Sequence, residues 1–407
     1  MKKKVSFILF SLDVGGAERQ AVAISNYLAN NGYEITIVLI ENPLIRFSVD
    51  PKVKVVFLND PNNPYLGTDG NISECSLYQT ESSYKQGLFR RFSMHLLKIA
   101  DKKRFVVEDQ LIFITKKYAY KIYEYFKDKS DELIFSWMTI PSLSLAIAKR
   151  MGLRNRCISV ERTDPNTEYP DCHPINTLKK ELYPQFSGGV YQTSVQRDYY
   201  DYLDSSSRYV IGNSITGVFP DRFEGERKKI IVNFCRLHPV KNIPLLIDAF
   251  ELLLKDHPEY SLEIFGEGSE KAKLIKYAEQ RCVSDKVKFY PYDTNLHERI
   301  KDYAMFVSSS DREGISNSML EALAIGLPTI CTDCPGGGAR SVINDHVNGL
   351  IVPVRDKEKL YRAMKELIED KALSEKLSLN STSVKSDYSV NCIGKQWSSV
   401  IDEEYNQ

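Results

Sequence analysis

The sequence predicts an α/β protein built from two doubly wound parallel-sheet domains in series, facing each other across a cleft. Three observations carry this. At 407 residues the chain is long for one core and suits two domains of about 200 residues each. It opens as strand, glycine turn, helix, strand, the unit of a parallel sheet wound with helices. That pattern restarts near residue 229, after a stretch that reads as a linker.

Taken in order, residues 5–10 are a short apolar run of buried-strand type, and 11–16 are a turn. Residues 17–30 carry Ala21, Ala23, Ile24, Tyr27 and Leu28 at helical spacing, and Gly32 stops that helix. Residues 34–40 are a second strand. Residues 133–137 and 157–160 are further strands, with a helix at 142–149 between them; 190–192 and 209–211 close this half. Residues 212–227 hold three glycines, a proline and several charges, the composition of a linker. In the second half, strands are expected at 229–234, 261–265, 287–290, 304–308 and 350–352. Helices are expected at 243–254, 271–280, 295–303 and 357–369, with a last one at 384–405.

Composition narrows the function. The 54 Lys+Arg cancel the 54 Asp+Glu, so nothing global points to nucleic acid. The apolar run after Met1-Lys2-Lys3-Lys4 is too short for a signal peptide core, and no stretch reaches the length of a membrane span; a cytoplasmic protein is expected. Cys331 and Cys334 have CxxC spacing without a second pair, so they read as the end of a buried strand. The six histidines form no metal pair, and no Asp-x-Asp triplet occurs, so no metal and no cofactor are expected. His173 and His238 are the histidines best placed to meet a ligand, although each reads first as an ordinary loop residue. Residues 85–129 hold twelve Lys/Arg and five Asp/Glu among many aromatics. Such a segment either lies on an anionic membrane surface or is a core helix with a solvated basic face.

Three glycine- or charge-bearing loops carry the chemistry. In Arg312-Glu313-Gly314-Ile315-Ser316-Asn317-Ser318-Met319-Leu320-Glu321, a strand gives way to a Gly-containing turn and a short helix. Gly314 lets backbone approach a ligand, and the amides of Ile315, Ser316 and Asn317 are the donors of a helix N-terminus, suited to a phosphate. Glu321 falls about two turns beyond Glu313, near the same face. The alternative is a helix end with a solvated charged face. Gly15 and Gly16, between the first strand and helix, offer a second anion cradle; a dinucleotide enzyme would show a different glycine pattern there. Arg236 and Lys241, in the loop after the strand at 229–234, can clamp a diphosphate and offset the charge that builds when a bond to it breaks; the alternative is a pair of loop cations in solvent. The triple glycine at 336–338 reads as a ligand-approach loop or a plain strand-to-helix turn.

Together, the Gly15-Gly16-Ala17-Glu18-Arg19 turn, the Arg236-x-x-x-x-Lys241 loop and the Glu313-x7-Glu321 segment resemble the family-four retaining glycosyltransferases of the GT-B fold. Val160-Glu161-Arg162-Thr163-Asp164-Pro165 and residues 334–340 look most like bacterial members that build capsule, O-antigen or lipid-linked oligosaccharides. The resemblance implies an acceptor-binding domain at 1–215, a nucleotide-sugar-binding domain at 228–383, and a C-terminal helix at 384–407 returning to the first. It implies Gly16 against the donor sugar or its phosphate, and Arg236 and Lys241 on the diphosphate of a nucleoside-diphosphate sugar. Glu313 and the amides from Gly314 to Ser316 would meet the sugar, and Glu321 the ribose. Many members place a His near the acceptor where this chain has Glu161-Arg162, so that pair becomes the acceptor-side candidate. The implied enzyme is a hexosyl- or N-acetylhexosaminyltransferase using a UDP-sugar. It forms an α-linkage on a polyprenyl-diphosphate-linked acceptor, docked on the inner face of the plasma membrane through residues 85–129. Alternatives are an epimerase or phosphorylase of the same fold, or a non-catalytic nucleotide-sugar-binding module.

Overall fold

The computed structural model describes residues 2–13, 15–41, 44–58, 60–65, 105–169, 173–204 and 207–407. Eight strands form the first sheet: β1 (Lys4–Leu9), β2 (Glu34–Leu39), β3 (Lys54–Phe57), β4 (Asp60–Tyr65), β5 (Leu133–Trp137), β6 (Cys157–Glu161), β7 (Gly188–Tyr191) and β8 (Arg208–Val210), in the order β4-β3-β2-β1-β5-β6-β7-β8. All neighbours are parallel except β4, which runs antiparallel to β3 at the edge. Six parallel strands form the second: β9 (Lys228–Phe234), β10 (Ser261–Phe265), β11 (Val287–Tyr290), β12 (Tyr303–Ser308), β13 (Thr329–Thr332) and β14 (Leu350–Val352), in the order β11-β10-β9-β12-β13-β14.

The strands are apolar on both faces because helices cover both. In β1, Val5, Phe7 and Leu9 join one buried cluster with Trp397 of the C-terminal helix. Ile8, between them, joins a different cluster with Tyr118, Ile122 and Phe126. In the second sheet, Met305 and Val307 of β12 face one helical layer and Phe306 the other. A side-chain period of two thus distributes each strand between two cores.

Both sheets reverse direction at one place. The chain leaves β1 outward through β2 and β3, then returns to the other side of β1 as β5. It leaves β9 through β10 and β11 and returns beside it as β12. The loops after β9 and β12 therefore flank the point where the strand order switches, the usual crevice for a ligand in such sheets. Between those two loops lie the sequence-predicted Arg236, Lys241 and Glu313.

Two expectations change. The predicted helix at 384–405 is broken: a turn Val384–Asp387 is followed by Val390–Asn406, with the Ser389 side chain capping the second piece by accepting from Cys392 N–H at 3.1 Å. The basic segment is described only from residue 105, where helix Phe105–Phe126 lies against helix Thr139–Arg150; 85–104 fall outside the described residues. Tyr118, Ile122 and Phe126 are buried in the first domain, so for this part the apolar face is core and the basic side is solvated. Among the described residues, no helix is long and apolar enough to cross a membrane.

Candidate active site

The switch point of the second domain holds a tight ion pair. Lys241 ends a short 3-10 turn, Pro239–Lys241, whose N-cap is His238; its Nδ1 accepts from Val240 N–H at 3.4 Å. Glu313 follows β12. Lys241 Nζ donates to Glu313 Oε1, which also accepts from Ser310 Oγ at 3.0 Å. Burial works against the Lys241 ammonium, but the Glu313 carboxylate outweighs it and raises its pKa. Arg236 is exposed on the same loop, within electrostatic reach of Lys241 and of Glu18 in the first domain.

Helix Asn317–Ala324 starts at Ser316, whose side chain caps it by accepting from Met319 N–H at 3.4 Å. Glu321 is only 7% exposed. Its Oε1 accepts from Arg19 Nη1 at 2.6 Å and its Oε2 lies 3.0 Å from His297 Nε2. Burial pushes the Glu321 carboxyl up; the hydrogen bond from His297 and the charge of Arg19 overcome that and lower its pKa. Glu313 and Glu321 are thus separated by partner as well as position, one on a lysine of its own domain, the other on an arginine of the opposite domain.

The two glycine cradles are partly filled by the protein itself. A Cβ on Gly15 would lie 1.9 Å from Glu18 Oε2, because that carboxylate folds back over the turn and accepts from its own backbone N–H. Gly16 faces the second domain: a Cβ there would be 3.1 Å from Asn317 Nδ2. Of the amides expected to be open for a ligand, that of Ile315 donates to Gln192 Oε1 at 3.3 Å, and a Cβ on Gly314 would overlap the same oxygen. Asn213 Nδ2 donates to Ile315 O at 2.8 Å and to Asn317 Oδ1 at 3.0 Å. The triple glycine serves close packing within the protein. A Cβ on Gly338 would fall 1.7 Å from Gly314 O, and one on Gly336 would meet Glu313 O at 2.4 Å and Asp164 Cβ at 3.1 Å. Thr193 Oγ1 of the first domain donates to Gly336 O at 2.8 Å.

Glu161 and Arg162, the acceptor-side candidates, are buried at the end of β6 and just beyond it. Glu161 is 1% exposed; it accepts from Tyr183 Oη at 2.8 Å and from Lys179 Nζ at 3.3 Å, and Lys179 also holds Glu168 at 3.1 Å. Arg162 is buried, donates from Nη1 to Ile211 O at 2.8 Å and lies over the stacked rings of Trp137 and Trp397, 5.1 and 5.5 Å from their centres. Burial pushes its pKa down to about 9. In this structure Glu161 is held by Lys179 and Tyr183, and Arg162 by Ile211 O and the two tryptophans. His173 likewise caps a helix, Pro174–Leu182, accepting at Nδ1 from Ile175 N–H at 3.3 Å.

Sequence reasoning missed four residues that the structure brings to this cleft: Arg19, His297, Gln192 and Asn213. Arg19 stood inside a quoted motif, but its partner is 302 positions away. His297 had no local signal at all. Among the described residues, no cluster of three or more His, Cys, Asp or Glu is arranged to hold a metal ion.

Comparison with known proteins agrees with this architecture. Residues 218–384 match the family model described as Glycosyl transferases group 1. Over 402 residues the chain is 20% identical to an uncharacterized glycosyltransferase of Haemophilus influenzae, covering 98% of this chain and 100% of that one. It is 32% identical to the N-acetylgalactosamine-N,N'-diacetylbacillosaminyl-diphospho-undecaprenol 4-alpha-N-acetylgalactosaminyltransferase of Campylobacter jejuni, over 36% of this chain and 39% of the relative. The Anabaena protein Alr3699/HepE, solved in complex with UDP-glucose, superposes with a TM-score of 0.68 at 15% identity, covering 98% of this chain and 99% of that one. Fold and likeness define a glycosyltransferase of GT-B architecture. Arg236, Lys241, Glu313 and Glu321 all lie within the residues that match the group 1 model.

Proposed function

We propose that the protein is a retaining glycosyltransferase that takes a sugar from a nucleoside-diphosphate sugar, a UDP-sugar first among them. It forms an α-linkage on a lipid-linked oligosaccharide in surface polysaccharide biosynthesis. The observation that carries this reading is the Lys241–Glu313 pair, beside Arg236, at the switch point of the second sheet. A diphosphate laid across Arg236 and Lys241 would put the sugar against Glu313 and the ribose towards Glu321. The UDP-glucose complex of the Anabaena structure supports the donor, and the undecaprenol-linked substrate and α-linkage in the Campylobacter relative's name support the acceptor and product.

The chemistry follows from charge. The donor's C1–oxygen bond breaks as the acceptor oxygen bonds to the same face of C1, and the acceptor proton passes to the departing phosphate oxygen, releasing the nucleoside diphosphate. The phosphate gains negative charge in that step, and two fixed cations stabilise it there more than in the ground state. Glu313 orients the sugar and offsets positive charge on its ring; it forms no covalent intermediate. Arg236 and Lys241 supply what a divalent cation would, so the reaction requires no metal. The basic residues at 85–104 keep the enzyme at the anionic inner membrane face, close to its acceptor.

The test is transfer by purified protein from a panel of UDP- and GDP-sugars to membrane-extracted lipid acceptors, with and without EDTA. Product with the donor's anomeric configuration and undiminished by EDTA is expected. An inverted product would overturn the retaining assignment, and loss of transfer in EDTA the metal-free one.

A further inference from the structure

The Glu321 carboxylate is held from both domains, and the count of its partners is informative. An ionised carboxylate offers about four lone-pair sites. Arg19 takes one on Oε1 and His297 one on Oε2, which leaves two. One acceptor site remains on each oxygen, and a carboxylate with one on each suits two vicinal hydroxyls, the chemistry of a ribose diol.

Arg19 is itself fixed from the opposite edge of its fork. Its Nε donates to Thr216 Oγ1 at 2.6 Å and its Nη2 to Thr216 O at 3.0 Å, in the segment joining the domains. The next residue repeats the arrangement: Gln20 Nε2 donates to Ser214 O at 2.7 Å and to Asn317 Oδ1 at 3.3 Å, while Gln20 Oε1 accepts from Ser214 N–H at 2.7 Å. Helix Gly16–Asn30 thus hooks both the linker and the start of the Glu321 helix through successive side chains. A planar guanidinium anchored on one edge presents its remaining donor in a fixed direction, which an ammonium on a flexible stem does not.

We propose that Arg19 is the positioning residue of the ribose subsite, completing from the first domain a site whose acceptor belongs to the second. This rests on the donor reading above. It makes nucleotide affinity depend on the apposition of the two domains. By linkage, whatever factor that apposition lends to the nucleotide, the nucleotide lends to the apposition.

The experiment is a chemical double-mutant cycle on the full-length protein. Dissociation constants for UDP and for 2′,3′-dideoxy-UDP are measured by calorimetry on wild type, Arg19→Ala and Arg19→Lys. Arg19→Ala should weaken UDP by at least about tenfold but the dideoxy nucleotide by less than about twofold, since only the diol uses the oriented carboxylate. Arg19→Lys keeps the charge, loses the fork and should fall between, and it carries the test if the alanine variant does not fold. Equal losses for both nucleotides, or none for UDP, overturn the proposal. So does a wild type that binds both nucleotides equally well, because the diol then does not meet Glu321. Wild type that binds neither UDP nor GDP overturns the donor reading, and this inference with it.

Discussion

The two domains share one switch in strand order, beside their first strands, and place their charges oppositely. In the second, Arg236, Lys241 and Glu313 stand on loops at the rim of the sheet, where a ligand would meet them. In the first, Glu161, Lys179 and Glu168 form a chain inside the domain, and Arg162 lies under two tryptophans. Arg236 is exposed on its loop, and the largely buried Lys241 is kept charged by Glu313. A charge in a core persists only if paired, and removing its partner is costly. The charges gathered at the second sheet's switch point thus contrast with those buried inside the first domain, and Arg19 crosses between the two.

The largest effect should come from the rim. Glu313→Gln should lower transfer about a hundredfold, the range for loss of a charge that acts in the transition state, and also lower the thermal midpoint, because Lys241 loses its carboxylate. Initial rates at saturating donor check this; near-wild-type turnover would break the contrast. Arg162→Ala should act on stability alone. Losing a desolvated cation–π contact and a buried hydrogen bond should cost about 2 kcal/mol of stability, read by denaturant unfolding, while donor affinity holds. An altered donor affinity at unchanged stability would put Arg162 in the site after all.

A smaller effect concerns pH. Folding lowers the Glu321 pKa, so the ion pair stabilises the protein above the usual carboxylate range and that stability is lost as pH falls through the lowered value. Glu321→Gln should therefore flatten the acid limb of the unfolding curve, and an unchanged limb would assign acid sensitivity elsewhere. The smallest expected effect is on the surface. Neutralising Arg90, Arg91, Lys102, Lys103 and Arg104 should weaken flotation with anionic vesicles by about 1 kcal/mol per charge at most, and leave transfer to a soluble acceptor intact. Unchanged flotation would remove the membrane role.

What could be read from the sequence follows the same division. Strands β10, β11 and β14 and helices Lys271–Gln280 and Lys357–Glu369 match their predicted bounds, because glycines, caps and clean periodicity punctuate that half. In the first half, β3 and β4 were missed: they are short, and β4 carries two prolines and two asparagines in six residues. Helix Pro174–Leu182 is announced by His173-Pro174, a capping residue followed by proline at the first helical position, whereas the histidine reads in sequence as an ordinary loop residue and no helix is assigned there. Glu161 and Arg162 show why a motif does not fix orientation. Their partners Lys179, Tyr183, Trp137 and Trp397 lie outside the motif, so the burial of the pair was not legible in it. Arg19 and His297 could not be paired with Glu321 from spacing, since only the assembled fold brings helix, linker and second domain together.

The broken C-terminal helix has a mechanical consequence. The chain passes between the domains twice, once through the segment before β9 and once at Tyr388–Ser389, and the two passages touch: Ile215 N–H donates to Tyr388 O at 2.8 Å. A single tether is a pivot about which a domain can swing in any direction. Two passages joined by a hydrogen bond constrain the domains at two points of the chain, a restraint that one connection does not supply.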